Sequence, residues 1–286
     1  MGSADPDAGS PLPRISIVIA SRNQAGFLRS ALDSLAAQDY PDLEVVVVDG
    51  ASTDGTVELL QQRGDVVTRW VSEPDDGQTH ALNKGYDMAT GRVFGWLNCD
   101  ERYQPGALTA VGRAFADDPA LEMVFGHRVI VDRQGREIGR RRLPGFHPRR
   151  YVLYAAGSLL SDTTFWTARL HRATGRLDEE NCRRCAMDTD WFGRLSLRVE
   201  RWRRLGEYLS EFTQHPGRAS LNTPELPQVA GAVVKRLRLL AGVSRVRVLL
   251  GTPPYFVLAR LSQYGWRGLL RLPSLKVVLW RAGLGP

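Results

Sequence analysis

The stretch that decides the fold is RISIVIASRNQAGFLRSALDSLAAQDYPDLEVVVVDGASTDGTVELLQQRG, residues 14–64. It contains two predominantly apolar runs, at 14–21 and 43–48, and each is followed by a segment with apolar residues at helical spacing. Apolar runs of this length, bounded by turn-forming residues, are typical of strands buried on both faces of a sheet. The alternation therefore predicts a parallel sheet with helices on both sides.

The same alternation continues to about residue 120 and then changes. Residues 66–73 and 92–100 are predicted strands, and residues 78–91 and 105–118 are predicted helices. Beyond residue 120 we predict a strand hairpin, a strand that runs into a helix, a separate helix, and a pair of strands that ends in a polar loop. The corresponding segments are a turn at 132–135, then 162–170, 186–198 and 200–220.

Polar side chains follow each of the first four predicted strands. The clusters are SRN at 21–23, DGASTDG at 49–55, EPDDG at 73–77 and NCDE at 98–101. Ligands of parallel α/β sheets bind at the carboxyl ends of the strands, so these four clusters mark the candidate site.

Within these clusters, the acids suggest two kinds of ligand. Asp100 and Glu101 form either an acidic turn or a site for Mg²⁺ or Mn²⁺, which prefer oxygen ligands. Asp54 is expected to cap the helix that follows it. Asp49 has no such capping role in this prediction and is free to accept a hydrogen bond from a nucleobase or ribose.

The three cysteines do not define a site by themselves. Cys182 and Cys185 form a CxxC, but no second CxxC or paired histidine supplies the two further ligands that zinc would need. Three cysteines are also too few for a disulfide scaffold and suit a reducing compartment.

The net charge of +7 is concentrated in the C-terminal segment. Residues 225–286 hold ten Lys and Arg residues against one acid, Glu225, whereas the rest of the chain holds 28 basic and 30 acidic residues. Apolar helix punctuated by cations is typical of a segment on an anionic membrane surface, and Trp266 and Trp280 are candidate interfacial anchors. The alternative is an amphipathic helical cap packed on the main domain. Nucleic-acid binding is disfavoured because bulky aliphatic residues interrupt the cations.

The composition of the two ends of the chain bears on targeting and on membrane association. Residues 1–13 are small, polar and rich in proline, and are expected to be a disordered leader. The longest uncharged stretch of the tail, 248–259, is too short to span a bilayer. We therefore expect a cytoplasmic protein that is soluble or peripheral on the inner face of the plasma membrane.

Taken together and in this order, the motifs resemble a known family. Residues 15–60, the middle block SEPDDGQTHALNKGYDMATGRVFGWLNCDERYQPGAL, AMDTDWFGRL and FTQHPGRAS are similar to the inverting family 2 glycosyltransferases, which have the GT-A fold. The resemblance covers about residues 14–222. It implies a GT-A catalytic domain over that range, with a nucleotide-sugar half at 14–120 and an acceptor half at 121–222. A basic amphipathic helical tail follows at 223–286.

The resemblance also assigns roles to particular positions of this sequence. The catalytic general base is Asp188, with Asp190 as the alternative. The metal ligands, for Mn²⁺ or Mg²⁺, are Asp100, Glu101 and His215, in a motif where Asn98 and Cys99 depart from the usual acids. The donor-binding positions are Ala20, Ser21, Arg22, Asn23, Asp49, Asp75, Asp76, Lys84 and Asp100.

The activity that these positions imply is transfer of a sugar from a nucleotide-sugar, with UDP-sugars favoured, to a hydroxyl acceptor. The implied acceptor is a lipid-linked or polysaccharide precursor. Three aromatic residues, Phe165, Trp166 and Trp191, are candidates either for an acceptor pocket or for the core, and the helical spacing of Trp191 from Leu195 favours the core for Trp191.

Two other classes of function stay open on the sequence. A nucleotidyltransferase could share the sheet and the metal acids, but ASRNQAG at 20–26 is a poor phosphate-binding loop. A silent nucleotide-sugar-binding protein would fit the NCDE motif, although it would need no general base such as Asp188.

Overall fold

The computed structural model describes residues 11–154, 159–217 and 222–242. The first half of the chain alternates strands and helices, as predicted. Its elements are β1 (Ile15–Ser21), α1 (Ala25–Ala36), β2 (Leu43–Asp49), α2 (Thr56–Gln62), β3 (Arg69–Ser72), α3 (Gln78–Met88), β4 (Val93–Trp96), β5 (Glu101–Tyr103) and α4 (Ala107–Asp117).

The second half contains the hairpin, the strand that runs into a helix and the separate helix that the sequence predicts. Its elements are β6 (Met123–Val131), β7 (Glu137–Arg141), α5 (Pro148–Tyr154), a 3₁₀ turn (Ser161–Thr163), β8 (Thr164–Thr167), α6 (Ala168–Thr174), α7 (Met187–Ser196), β9 (Trp202–Thr213) and α8 (Leu226–Leu240).

The described strands form one mixed sheet of nine strands. The order is β3-β2-β1-β4-β8-β6-β9-β5, and β7 pairs with residues 128–131 of β6, beyond the residues of β6 that pair with β8. Strands β1 to β4 pair in parallel, which confirms the parallel sheet predicted for the first half. Strand β8 joins this half to β6 through two antiparallel pairings.

The sheet is covered on both faces because its central strands β1 and β2 are apolar at every position except Ser16, Ser21, Glu44 and Asp49. Ile15, Ile17 and Ile19 pack into one core cluster, whereas Val18 packs into a second cluster on the opposite face. Full burial of each of these side chains stabilises the fold by about 1.5–3 kcal/mol. Helices α1, α2 and α4 contribute to the first cluster, and α3, α6, α7 and α8 contribute to the second.

The predicted pair of strands over 200–213 is wrong. The structure has one long strand, β9, which pairs in parallel with β6 and antiparallel with β5. Phe125 lies opposite Arg204, and His127 lies opposite Tyr208. An advance of two residues along β6 therefore corresponds to an advance of four residues along β9. The residues LGE at 205–207 therefore form a bulge, which adds residues to one strand without reversing it.

The terminal predictions fall largely outside the described residues. Residues 1–10 of the expected leader and residues 243–286 of the expected basic tail are not among them. The described part of the tail is α8, and it packs on α5 and α7. Within the described ranges, no helix combines the length and the apolar character needed to cross a membrane.

Candidate active site

The register of the parallel strands brings the predicted polar clusters to one edge of the sheet. Ser21 pairs with Asp49, and Asp49 pairs with Ser72, so the loops after β1, β2 and β3 leave the sheet side by side. The loop after β4 joins them: the Cys99 thiol lies 3.3 Å from the carbonyl oxygen of Ala20. The four clusters form a single candidate site.

Asp49 has a structural role that the sequence did not predict. It is fully buried, and its carboxylate accepts hydrogen bonds from the Ser52 backbone N–H at 2.8 Å and the Ser72 hydroxyl at 2.7 Å. The Ser52 hydroxyl donates to the other carboxylate oxygen. The expectation that Asp49 is free of local duties is therefore wrong, because it holds the turn after β2.

The loop after β1 is tied to the same turn. Asn23 adopts a positive φ of 51°, and its side-chain oxygen accepts a hydrogen bond from the Thr53 N–H at 2.9 Å. Asp54 accepts a hydrogen bond from the Ala25 N–H at 2.9 Å and so links the start of α1 to the start of α2. The N-cap position of α2 is Gly55.

The acidic loop after β3 lies against this pair of turns. A Cβ added to Gly50 would be 2.5 Å from Asp75 Oδ2 and 3.3 Å from Arg22 Cδ. Gly50 therefore leaves room for Asp75 and Arg22 to approach the same point. Asp76 is exposed, and Lys84 forms an ion pair with Glu73 at 2.6 Å.

Asn98 is the centre of a hydrogen-bond network below the loop after β4. Its side-chain oxygen accepts from Trp96 Nε1 at 3.0 Å and from Gln78 Nε2 at 2.9 Å, and its side-chain nitrogen donates to Glu101 Oε2 at 2.8 Å. An aspartate at position 98 would place a second carboxylate against Glu101. The amide therefore explains why this sequence departs from an acid here.

Glu101 points into the protein from this network. It is buried, and burial followed by the charge of Asp162 raises the pKa of its carboxyl group well above the usual range, against the influence of Arg128. Arg128 Nη2 lies 3.6 Å from Glu101 Oε1, forms an ion pair with the buried Asp162, and its guanidinium stacks on the Phe212 ring at 4.2 Å. Glu101 thus belongs to an internal ion network.

Asp100 and His215 meet, although they lie far apart in the sequence. His215 Nε2 is 3.1 Å from Asp100 Oδ2, and the imidazole stacks on Phe27 with ring centroids 4.7 Å apart. His215 is buried, and its Nδ1 has no hydrogen-bond partner among the described residues. Stacking on Phe27 fixes the plane of the ring, so its Nε2 stays directed at the carboxylate.

The predicted three-residue ligand set is only partly assembled. Within the described ranges, no three or more His, Cys, Asp or Glu side chains are grouped so as to hold a metal ion. The pair of Asp100 and His215 still fits a divalent cation, because one carboxylate oxygen and one imidazole nitrogen are ordinary ligands of Mn²⁺ and leave positions for a diphosphate.

Asp188 and Asp190 have different environments, although both lie in the first turn of α7. Asp188 is exposed to solvent on one side, yet desolvation by the surrounding protein raises the pKa of its carboxyl group, against hydrogen bonds from Thr189. Asp190 is fully buried and forms ion pairs with Arg194 and Arg236. Only Asp188 can therefore reach a substrate.

Asp188 shares an electrostatic neighbour with the network below the site. Arg128 lowers the pKa of both Asp188 and Glu101, although neither effect outweighs desolvation. Asp188 in α7 and Glu101 in β5 therefore both interact electrostatically with Arg128, although they belong to different segments of the chain.

Several residues of the site were not recognised in the sequence. Arg128 and Asp162 were missed, although a cation inside the apolar run FGHRVIV at 125–131 was a usable signal, since a buried charge needs a partner. The aromatic residues Phe165 and Trp166 are fully buried, as is Trp191. The acceptor-pocket interpretation is therefore wrong for these aromatic residues. Phe165 packs into the core on one face of the sheet, and Trp166 and Trp191 pack into the core on the other face.

The family profile described as Glycosyl transferase family 2 matches residues 16–177, which is more than half of the chain. The chain belongs to glycosyl transferase family 2.

Two curated relatives carry related names. An uncharacterized glycosyltransferase from Nostoc sp. is 30% identical over 135 residues, which is 46% of this chain and 42% of that protein. A PGL/p-HBAD biosynthesis glycosyltransferase from Mycobacterium bovis BCG is 33% identical over 125 residues, which is 41% of this chain and 48% of that protein. The matched part thus spans less than half of either relative.

Two solved structures share the fold. S. aureus TarS residues 1–349 in complex with UDP-GlcNAc has a TM-score of 0.67 at 19% identity, over 95% of this chain and 79% of that chain. The mannosyltransferase PcManGT from Pyrobaculum calidifontis, in complex with GDP-Man and Mn²⁺, has a TM-score of 0.53 at 19% identity, over 97% and 82%. This family 2 glycosyltransferase has the predicted GT-A fold.

Proposed function

We propose that the protein is an inverting glycosyltransferase that moves a sugar from a nucleotide-sugar to a hydroxyl acceptor with Asp188 as the general base. The observation that carries the proposal is the environment of Asp188, a solvent-accessible carboxyl group whose pKa is raised by desolvation. A base of this kind holds a proton more readily than an ordinary aspartate, which suits it to take the proton of an attacking hydroxyl.

The donor lies, in this proposal, at the carboxyl ends of β1 to β4. Ala20, Ser21, Arg22 and Asn23 line the base side, Asp49 and Asp75 lie behind them, and Asp76 and Lys84 belong to the acidic loop and the helix that follows it. UDP-sugars are the favoured donors, because TarS, which shares the fold, was solved with UDP-GlcNAc.

The metal of the proposal is Mn²⁺ or Mg²⁺, held by Asp100 and His215. A bound cation would supply positive charge for the leaving diphosphate. Phe27 keeps the His215 ring in its plane, and Asn98 fixes the loop from which Asp100 projects. Glu101 supports this loop from inside the protein, and a direct part for it in the metal site stays a prediction.

The acceptor of the proposal is a lipid-linked or polysaccharide precursor, handled on the inner face of the plasma membrane. The described part of the basic tail supports this, since α8 has Arg238 in its last turn and exposes Leu239 and Leu240 at its end. An exposed apolar end beside a cation suits an anionic membrane surface.

The proposal is tested by incubating the protein with a panel of UDP-, GDP- and dTDP-sugars, with and without Mn²⁺, and measuring nucleotide release. We expect metal-dependent release with at least one donor. Binding of a donor without release would favour a silent nucleotide-sugar-binding protein, and release of pyrophosphate from a nucleoside triphosphate and a sugar phosphate would favour a nucleotidyltransferase.

Gly50→Ala should weaken nucleotide binding. The new Cβ would displace Asp75 and Arg22, and a displacement of this kind costs roughly 1–3 kcal/mol, which corresponds to about a 5- to 150-fold loss of affinity. Titration calorimetry with UDP measures the effect. Gly26→Ala on α1 is the matched control, because no atom lies within 4 Å of its new Cβ. Equal affinities of the two variants would contradict the placement of the donor.

The fall of kcat/KM at acid pH should have its midpoint above the pKa range of an ordinary aspartate. Transfer needs the Asp188 carboxylate, and desolvation raises the pKa of this group, so kcat/KM should rise with pH through a midpoint above the usual value of about 3.9. Circular dichroism at each pH separates this titration from acid unfolding. A midpoint at or below the ordinary value, in folded protein, would contradict the assignment of the base.

The protein of residues 1–286 should float with vesicles that contain an anionic lipid and should be released by high salt. The cations of the tail attract the anionic surface, and salt screens that attraction. Flotation with purely zwitterionic vesicles is the control. Failure to float with anionic vesicles at low salt would contradict the membrane part of the proposal and leave its enzymatic part intact.

A further inference from the structure

The segment that leads into α7 has a backbone that needs outside support. Ala186, two residues before Asp188, occupies the N-cap position of α7 with a positive φ of 59°. Residues with a side chain seldom adopt this conformation, and they keep it only where surrounding contacts fix it. The position of Asp188 therefore depends on what holds the segment on either side of it.

On its N-terminal side, the segment is organised by Asp178. One oxygen of this carboxylate accepts hydrogen bonds from the backbone N–H groups of Glu180 at 3.1 Å and Asn181 at 2.9 Å. The other oxygen accepts from Arg236 Nη1. Against desolvation, the hydrogen bonds from the Asn181 N–H and then from Arg236 lower the pKa of Asp178 to about 2, so this carboxyl group is ionised at neutral pH.

On the C-terminal side of Asp188, the same arginine reaches Asp190. Arg236 Nη2 donates to Asp190 Oδ1, and Arg194 Nε donates to Asp190 Oδ2 at 2.8 Å. Asp190 is fully buried, so its charge must be paired within the protein. A single guanidinium thus joins the two acids that flank the base.

Close packing fixes the position from which Arg236 makes these contacts. A Cβ added to Gly193 of α7 would be 2.2 Å from Leu237 Cδ1, so α7 and α8 are in tight contact next to Arg236. Val233 and Leu237 are buried in this contact. Helix α8 therefore cannot shift along α7 without breaking the packing.

We propose that Arg236 is a positioning residue for Asp188: from α8 it clamps Asp178 and Asp190 and so fixes the segment that aims the base at the acceptor hydroxyl. The inference rests on the proposed function for the role of Asp188. Among the described residues, Arg236 donates to the carboxylates of Asp178 and Asp190. Because the two terminal nitrogens of the planar guanidinium donate in different directions, one side chain can bond to both carboxylates.

The test is the variant Arg236→Met compared with Lys235→Met. Both remove one cation from α8, but Lys235 is exposed on that helix. We expect Arg236→Met to lower kcat roughly tenfold to hundredfold, because a displacement of about 1 Å at a reacting group costs this much. The KM for the donor should not change, and Lys235→Met should behave as wild type. Equal kcat values of the two variants would overturn the proposal.

A second variant covers the case in which Arg236→Met does not fold. Lys at position 236 keeps the charge but has a single ammonium group, which cannot join both carboxylates in one plane. We expect Arg236→Lys, which keeps the charge beside Asp178 and Asp190, to have a melting temperature closer to wild type than that of Arg236→Met and a reduced kcat. A wild-type kcat for Arg236→Lys would overturn the bridging role.

Hydrogen exchange separates failure of this inference from failure of the proposed function. The amides of Glu180 and Asn181 should exchange faster in Arg236→Met than in Lys235→Met or wild type, whether or not transfer is observed. Equal exchange in all three proteins would overturn the clamp. Faster exchange together with no transfer by the wild type, with any donor, would contradict the proposed function alone.

Discussion

Asp188→Asn should lower the rate of sugar transfer by roughly 10²–10⁴-fold while leaving the affinity for the nucleotide-sugar unchanged. The amide keeps the shape of the side chain and the hydrogen bond from the Thr189 N–H does not require its charge, but an amide cannot take up the proton of an attacking hydroxyl. Single-turnover kinetics with a saturating donor measures the rate, and calorimetry measures the affinity.

Asp190→Asn is the matched comparison for this variant. Asp190 is fully buried between Arg194 and Arg236, so its substitution should destabilise the protein, by up to about 3–5 kcal/mol for a broken buried ion pair. Asp188→Asn should leave the melting temperature unchanged or raise it, because the carboxyl group lies in a desolvating environment. Loss of donor binding in Asp188→Asn would show that the role of this residue has been misassigned.

Asp100→Asn should lower transfer roughly 10²–10³-fold, since charge stabilisation by a bound cation contributes several kcal/mol to phosphate leaving-group chemistry. The carboxylate of Asp100 is directed at His215 Nε2, and an amide there is a weaker ligand for Mn²⁺. The measurement is the Mn²⁺ concentration that gives half-maximal nucleotide release, which should rise. Direct titration of Mn²⁺ in the presence of UDP, followed by electron paramagnetic resonance, should show weaker binding.

Two further variants sharpen this result. Asp117→Asn removes an exposed carboxylate at the end of α4 and should leave the Mn²⁺ dependence unchanged. Glu101→Gln removes the second acid of the motif and tests its predicted part in the metal site: a raised half-maximal Mn²⁺ concentration would support that part, and an unchanged one would confine Glu101 to the network of Arg128 and Asp162. An unchanged Mn²⁺ dependence in Asp100→Asn would contradict the metal site.

The parallel half of the fold could be predicted because its signals are local. The runs at 15–21 and 43–49 are apolar at every position but Ser16, Ser21, Glu44 and Asp49, and only a strand covered on both faces makes use of such a run. The one long strand β9 could not be predicted, because Gly206 is equally compatible with a turn and with a bulge. The parallel partner β6, distant in the sequence, decides between them.

The sequence predicted which residues belong to the candidate site better than it predicted which of them contact one another. Asp100 and His215 were both expected, and the structure brings them to 3.1 Å, because the end of β9 returns to the loop after β4. Glu101 adjoins Asp100 in the sequence, yet it faces the interior. Adjacent residues point in different directions in extended chain, and only the partner Arg128 shows which of the two acids is the internal one.

The stereochemistry of the transfer tests the central claim most directly, namely a single displacement in which Asp188 activates the hydroxyl. An α-linked UDP-sugar that the protein turns over is incubated with a high concentration of enzyme and Mn²⁺, and the first sugar product is observed by proton NMR before mutarotation, with water as the acceptor. The account predicts that the β anomer appears first and that Asp188→Asn suppresses its formation. First appearance of the α anomer, or equal formation of product by Asp188→Asn, would contradict it.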